Sequence, residues 1–309
     1  MIACVAPSPS IDRLFEVTHL QPGGIHRPTR FVQVAGGKGL NAARAAAALG
    51  ADVRAVALLG GYSGRWISDE LGRLGVPLVA AWCRGETRSC LSVADEETAS
   101  LTEFYEANAA VSRREWEAFA DAAQDAAASA VWTTISGSLP PGAPADGYEV
   151  LAAGGVNIAV DTAALGAARP ALVKVNAAEA ATLTGLAVGS VDEAVEAAHA
   201  LRRRIGGNGR TAAVTCGLDG AVLVAPDGSA WRGSLPAAGR YPVGSGDAFL
   251  AGLVTAAAAG GGWPDALAAA LGAAAANAEL PGAGLLDAGR ARALAAEAVV
   301  ESAAAVEAR

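Results

Sequence analysis

No two cysteines stand at CxxC spacing in this chain: Cys4, Cys83, Cys90 and Cys216 are scattered, and so are His19, His26 and His199. That pattern excludes a zinc site of the usual kind and points to reduced thiols in the cytoplasm. Basic clusters are missing too. With 31 acidic residues against 23 basic ones, a net charge of −8 and no basic aromatic stripe, a nucleic-acid surface is excluded as the main role. The opening MIACVAPSPSIDR has no basic region and too short an apolar run for a secretory signal. Ala248 to Pro264 comes nearest to a membrane span, but it is rich in Ala and Gly and broken at Gly260-Gly261-Gly262, so it reads as a buried core helix. There is no GxGxxG after the first strand, no Walker A spacing around Lys38, and no internal repeat or low-complexity linker.

What is present suits a large α/β domain. A chain of 309 residues that is 52% hydrophobic can bury a sizeable core without a partner. Apolar strands at Ile2–Ala6, Val53–Leu58, Val131–Ile135, Val156–Val160 and Leu172–Val175 alternate with helical patterns such as Ser63–Leu74, Ser112–Ala128 and Val191–Arg204. This order predicts one doubly wound, mostly parallel sheet with helices on both faces. Two further pairs of short segments, Leu14–Val17 with Arg30–Val34 and Thr87–Val93 with Ser100–Tyr105, read as small antiparallel ribbons inserted into it.

Tyr241 to Leu253, YPVGSGDAFLAGL, joins a glycine turn to a helix expected over Asp247–Ala259. Gly244, Ser245 and Gly246 let a ligand approach their N–H groups, and a helix N-terminus attracts anions such as a transferring phosphoryl group. Asp247 at that junction is expected to be held ionised by the helix dipole and to suit the removal of a proton from an attacking hydroxyl. Asp in the first turn is equally a common cap.

Other polar residues gather at strand ends and helix starts. Asp12 follows the first strand and is either a turn residue or a ligand for sugar hydroxyls. Gly36-Gly37-Lys38-Gly39-Leu40-Asn41 opens a helix with a polar, anion-tolerant floor, where Asn41 caps the helix or binds a hydroxyl. Arg88, in a ribbon, is a solvated edge charge or a fork for phosphate. Asn176 and Glu179 form a capping pair or position magnesium-bound water.

Four motifs in order, AGGKGLNAARAAAALG, TISGSLPPG, LVKVNAAEAATLTG and VGSGDAFLAGL, resemble the phosphofructokinase B family of ribokinase-type carbohydrate kinases over nearly the whole chain. Gly-Gly-Lys-Gly, Thr87-Arg88 and Thr102-Glu103 are similar to the branch that acts on hexose phosphates. The resemblance implies a single ribokinase-like domain over 1–309, with a β lid inserted from about 12–35 and 86–107 that often makes a dimer contact. It implies an ATP-dependent kinase for fructose 1-phosphate, tagatose 6-phosphate or fructose 6-phosphate, using Mg2+ and leaving room for K+. Asp247 would be the base, with Gly244, Ser245 and Gly246 as the anion cradle. Asp12, Arg27, Gly36, Gly37, Lys38, Asn41, Arg88, Glu103 and Ser138 would hold the phosphorylated sugar. Lys174, Asn176, Thr215, Gly217, Gly220 and Asn277 would line the ATP site, with Asn176 and Glu179 reaching the metal through water. A kinase of unphosphorylated sugars or nucleosides is the first alternative, and a non-catalytic sensor of sugar phosphate or nucleotide on the same scaffold is the second.

Overall fold

The computed structural model describes residues 1–236 and 239–303. The chain opens with β1 (Ile2–Ala6), β2 (Ser10–Val17) and β3 (Arg30–Gly36), then α1 (Lys38–Ala48), β4 (Val53–Gly60) and α2 (Gly61–Arg73). Next come β5 (Leu78–Cys83), β6 (Ser89–Asp95), β7 (Leu101–Tyr105), α3 (Arg113–Ala128), β8 (Trp132–Ser136) and α4 (Gly147–Ala152). They are followed by β9 (Ile158–Asp161), β10 (Leu172–Asn176), α5 (Ala177–Thr184), α6 (Val191–Arg204), β11 (Thr211–Thr215), β12 (Ala221–Val224) and β13 (Ala230–Ser234). The described chain ends with α7 (Ser245–Ala258), α8 (Trp263–Ala278), α9 (Ala288–Glu297) and β14 (Val299–Ala303).

The main sheet runs in the order β14-β13-β12-β11-β10-β9-β8-β1-β4-β5. It is parallel from β11 through β5, and antiparallel among β11, β12, β13 and β14. Strands such as β4 and β10 are apolar and buried almost throughout, as expected where helices cover both faces. Alternation along β1 divides the core. Ile2, Cys4 and Ala6 pack on the side of α1, α7 and α8, while Ala3 and Val5 pack on the side of α3 and α6. The many alanines keep these helices close to the sheet and to one another.

Chain order reverses around β1, with β4 on one flank and β8 on the other. Open α/β sheets bind ligands beyond the carboxyl ends of strands at such a switch point. Ser8, Gly137, Asp161 and Asn176 follow or end β1, β8, β9 and β10, so they meet on that rim.

The lid is a separate four-stranded sheet, β3-β2-β6-β7. Both expected antiparallel ribbons are present, β2 with β3 and β6 with β7, and β2 and β6 pair in parallel, joining the two halves into one sheet. A parallel pair needs a long crossover, and here α1, β4, α2 and β5 supply it. β13, β14 and α4 were not foreseen from the sequence, and α7 starts at Ser245 rather than at Asp247.

Candidate active site

Gly244 begins the site. It caps α7 in the left-handed region with φ 83°, and a Cβ there would stand 2.6 Å from the Ala283 Cα. Only glycine fits both demands. Asp247 stands at the third helical position, and the Ser245 N–H donates to the Pro242 carbonyl at 3.1 Å. Asn277 holds the turn from behind: its Nδ2 donates to the Val243 carbonyl at 3.0 Å and to the Ser245 Oγ at 3.2 Å, and its Oδ1 accepts from the Gly284 N–H at 2.7 Å. This fully buried amide is a clasp between the turn and Gly284.

Asp247 is 6% exposed, and its Oδ2 accepts from Asn41 Nδ2 at 2.9 Å. Burial, then the nearby Asp161 charge, push its carboxyl up to about 7, against the pull of Lys174, Asn41 and Lys38. The sequence expectation of a carboxylate kept ionised by the helix dipole is therefore corrected. Desolvation in the low-dielectric site outweighs a dipole effect of about 0.3–1 kcal/mol. A carboxyl poised near neutrality is a better general base than one with an ordinary pKa.

Asp161, at the end of β9, was not singled out from the sequence, yet it organises the charges around Asp247. It is fully buried, with Oδ2 accepting from Lys174 Nζ at 3.0 Å and Oδ1 from Lys38 Nζ at 3.1 Å. Burial works against its ionised form, but Lys174 and Lys38 together hold its pKa down. Lys38 also donates to Glu179 Oε1 at 3.2 Å. Burial favours the neutral amine of Lys38, but Asp161, Glu179 and Asp247 outweigh it and raise its pKa. Lys38 thus joins Asp161 on β9 to Glu179 on α5. Lys174 lies beside the α7 turn, its Nζ 2.8 Å from where a Cβ on Gly246 would be.

Asn176 and Glu179 form a full capping box on α5: the Asn176 N–H donates to Glu179 Oε2 at 3.0 Å, and the Glu179 N–H donates to Asn176 Oδ1 at 2.8 Å. Beyond them a cleft of about 230 Å³ is lined by Asn176, Val188, Ser190, Thr215, Gly217 and Asp219. It brings together Asn176, Thr215 and Gly217 as expected. Gly220 instead packs against the Gly233 backbone, where a Cβ would meet the carbonyl oxygen at 2.1 Å.

Under the lid, the Asp12 carboxylate fills the space a Gly36 Cβ would need, accepts from the Gly37 N–H at 3.2 Å and is bonded by the Ser10 hydroxyl. Burial raises its pKa, opposed in part by Arg44 and Arg88. Arg88 donates to the Glu106 carbonyl at 3.4 Å, while its Nε is buried and without a partner among the described residues. Glu103 shares the Asp12 face of the lid by register, bonded by Ser92 and Tyr105. Arg27 and Ser138 are exposed on loops.

A deeply buried carboxyl at a helix start with two lysines acting on it suits phosphoryl transfer to a hydroxyl. The sequence agrees. It matches the model for the pfkB family carbohydrate kinase over residues 2–288, and the chain belongs to that family and is an ATP-dependent sugar kinase. It is 33% identical to the 1-phosphofructokinase of Haloferax volcanii over 83% of this chain and 84% of that one. It is 30% identical to the 1-phosphofructokinase of Xanthomonas campestris over 82% of each. The fold is that of phosphofructokinase-2 from Escherichia coli, solved in complex with potassium, at a TM-score of 0.86 and 24% identity over 96% of this chain and 98% of that one. No helix among the described residues is long and apolar enough to cross a membrane.

Proposed function

We propose that this enzyme transfers the γ-phosphoryl group of ATP to a hydroxyl of a phosphorylated ketohexose, fructose 1-phosphate before tagatose 6-phosphate or fructose 6-phosphate, with Asp247 as the general base. The observation that carries the reading is a carboxyl buried at the N-terminus of α7 and bonded by Asn41 at 2.9 Å, its pKa raised by that burial. Asp12, Gly37 and Asn41 hold the sugar so that its free hydroxyl meets Asp247. The proton passes to the carboxylate as the oxygen attacks, and the amides from Gly244 to Gly246 take the charge that builds on the phosphoryl oxygens. Lys38 and Lys174 neutralise the same charge from the side of the leaving group. Two relatives named as 1-phosphofructokinases favour fructose 1-phosphate as the acceptor.

No group of three or more metal-ligating side chains occurs among the described residues, and both oxygens of Asp161 and of Glu179 are already bonded within the protein. This donor set fits a magnesium ion that arrives with the nucleotide phosphates and keeps its waters, held by Asn176, Glu179 and Asp161 through those waters. When bound, the ion would neutralise phosphate charge. ATP itself belongs in the cleft of Thr215 and Gly217.

The buried, unpartnered Nε of Arg88 beside Asp12 supports a phosphorylated acceptor. Arg88→Ala is expected to raise KM for the phosphosugar about 10–100-fold, since a charge-assisted hydrogen bond contributes about 1.5–3 kcal/mol, and to leave KM for ATP nearly unchanged. ADP release with Mg-ATP against fructose 1-phosphate, tagatose 6-phosphate, fructose 6-phosphate and their free sugars tests the acceptor. Turnover only on free sugars would assign the site to unphosphorylated acceptors, and binding without turnover on the whole panel would make the protein a sensor.

The outer face of the lid carries Phe15, Phe31, Leu91 and Phe104 by register, with Phe31 55% and Phe104 57% exposed. A second copy of the chain covering this face in a homodimer is the reading it supports. Phe104→Asp is expected to shift the mass measured by light scattering from dimer to monomer; a wild-type monomer would refute the pairing.

A further inference from the structure

We propose that Arg44 is a positioning residue that holds the base and the anion cradle in register, acting on Asp247 through Asn41. The inference rests on Asp247 being the base. Arg44 lies one turn after Asn41 on α1 and is 4% exposed. Its Nη2 donates to Asn41 Oδ1 at 2.8 Å and to the Ala283 carbonyl oxygen.

The first bond decides how the Asn41 amide points. A guanidinium has only donors, so the amide must present its oxygen to Arg44 and turn its NH2 toward Asp247. Nδ2 then donates to Asp247 Oδ2 at 2.9 Å. With Oδ2 taken, Oδ1 is the oxygen that receives the proton. Were the amide reversed, its oxygen would face the carboxylate and push its pKa higher still.

The second bond reaches the cradle. Ala283 packs against Gly244, and the next residue, Gly284, is fastened to Asn277, which in turn holds Val243 and Ser245. A single nitrogen of Arg44 therefore touches two supports of the α7 start, Asn41 on α1 and Ala283 in the loop before α9.

A buried cation is costly, and this one is not fully satisfied. Its Nε and Nη1 are buried without partners among the described residues, and burial lowers its pKa to about 10. A methionine would fill the same space without that cost. What methionine would not supply is positive charge toward Asp12 on β2, Asp247 on α7 and Glu70 on α2. The other groups acting on Asp247 are Asp161 on β9, Lys174 on β10, and Lys38 and Asn41 on α1.

The test measures kcat, KM and the pH dependence of kcat/KM for Arg44→Met and Arg44→Lys with Mg-ATP and the accepted sugar phosphate, alongside thermal unfolding. Arg44→Met is expected to lose about 10²-fold in kcat through misalignment. Its acid limb should move up, because a positive charge that acts on Asp247 is lost. Arg44→Lys keeps the charge but not the rigid fork, so its limb should stay near wild type while kcat falls about 10-fold. A folded Arg44→Met with wild-type kcat and limb, whatever its unfolding temperature, would reduce Arg44 to packing and overturn the proposal. If Arg44→Met does not fold, wild-type kcat in Arg44→Lys overturns it and a loss in kcat with an unmoved limb supports it. Asp247→Asn separates the two claims. Retained turnover in that variant removes the base reading, whereas an inactive Asp247→Asn beside wild-type-like Arg44 variants removes only the positioning role.

Discussion

Asp247→Asn is expected to lower kcat by about 10²–10⁴-fold, the usual contribution of a general base, and to leave the protein more stable than wild type above neutral pH. The amide is isosteric and still accepts from Asn41, so the fold and the sugar-binding groups are undisturbed. The stability change has a definite sign. Burial raises the folded-state pKa of Asp247 from 3.8 to about 7, so the native state binds this proton more tightly than the unfolded chain does. The stability that comes with the proton is complete below 3.8, declines as pH rises, and is gone once pH passes about 7. Asparagine carries no such dependence. The variant's advantage in thermal unfolding should therefore be greatest above pH 7 and shrink steadily below it. A variant that loses activity and stability together at alkaline pH would point instead to a structural carboxylate.

Asp161→Asn is the second large effect, and its pH signature runs the other way. The substitution leaves the Lys38 and Lys174 ammonium groups, now bonded at 3.1 and 3.0 Å to a buried carboxylate, without their counter-charge. Breaking a buried pair by removing one partner costs about 3–5 kcal/mol; Lys174 is buried and bears most of this, whereas Lys38, 39% exposed at its side chain, recovers hydration. Asp161 is also a like charge that raises Asp247, while the two lysines lower it. Removing it should pull the acid limb of kcat/KM below its wild-type position. Kinetics across pH on the folded fraction, with unfolding followed in parallel, checks both parts. A limb that stays in place would mean that Asp161 does not act on the titrating group.

The sequence carried the parts of this site that are local. YPVGSGDAFLAGL announced its turn and helix, and Asn176 with Glu179 announced a capping box, because each signal lies within a few residues. Strand and helix alternation likewise gave the doubly wound sheet. Asp161 and Arg44 gave no such signal. One is a strand-end Asp and the other an Arg inside an Ala-rich helix, and each role needs, besides a nearer partner, one that lies 123 or 239 residues away. The pKa of Asp247 was misjudged for the same reason: the dipole of its own helix is readable, but burial and the Asp161 charge arise only on folding. Short segments that looked like two hairpins proved to be one sheet, because the β2–β6 register is fixed by a crossover rather than by a turn. β14, with Val299, Glu301 and Ser302 exposed, has too little apolar pattern to be read before β13 is in place beside it.

The central claim is that Asp247, held near neutrality, takes the proton in phosphoryl transfer to a phosphorylated ketohexose. Its most direct test is kcat/KM for fructose 1-phosphate as a function of pH in wild type and Asp161→Asn, with Mg-ATP saturating. The substrate phosphate titrates near 6 as well, but it does so equally for both proteins. Wild type should lose activity as pH falls through about 7, and the limb should lie lower in the variant. Superimposable limbs, or a wild-type rate that holds level down to the ordinary carboxylate range, would contradict the assignment of Asp247 as a base tuned by burial and by Asp161.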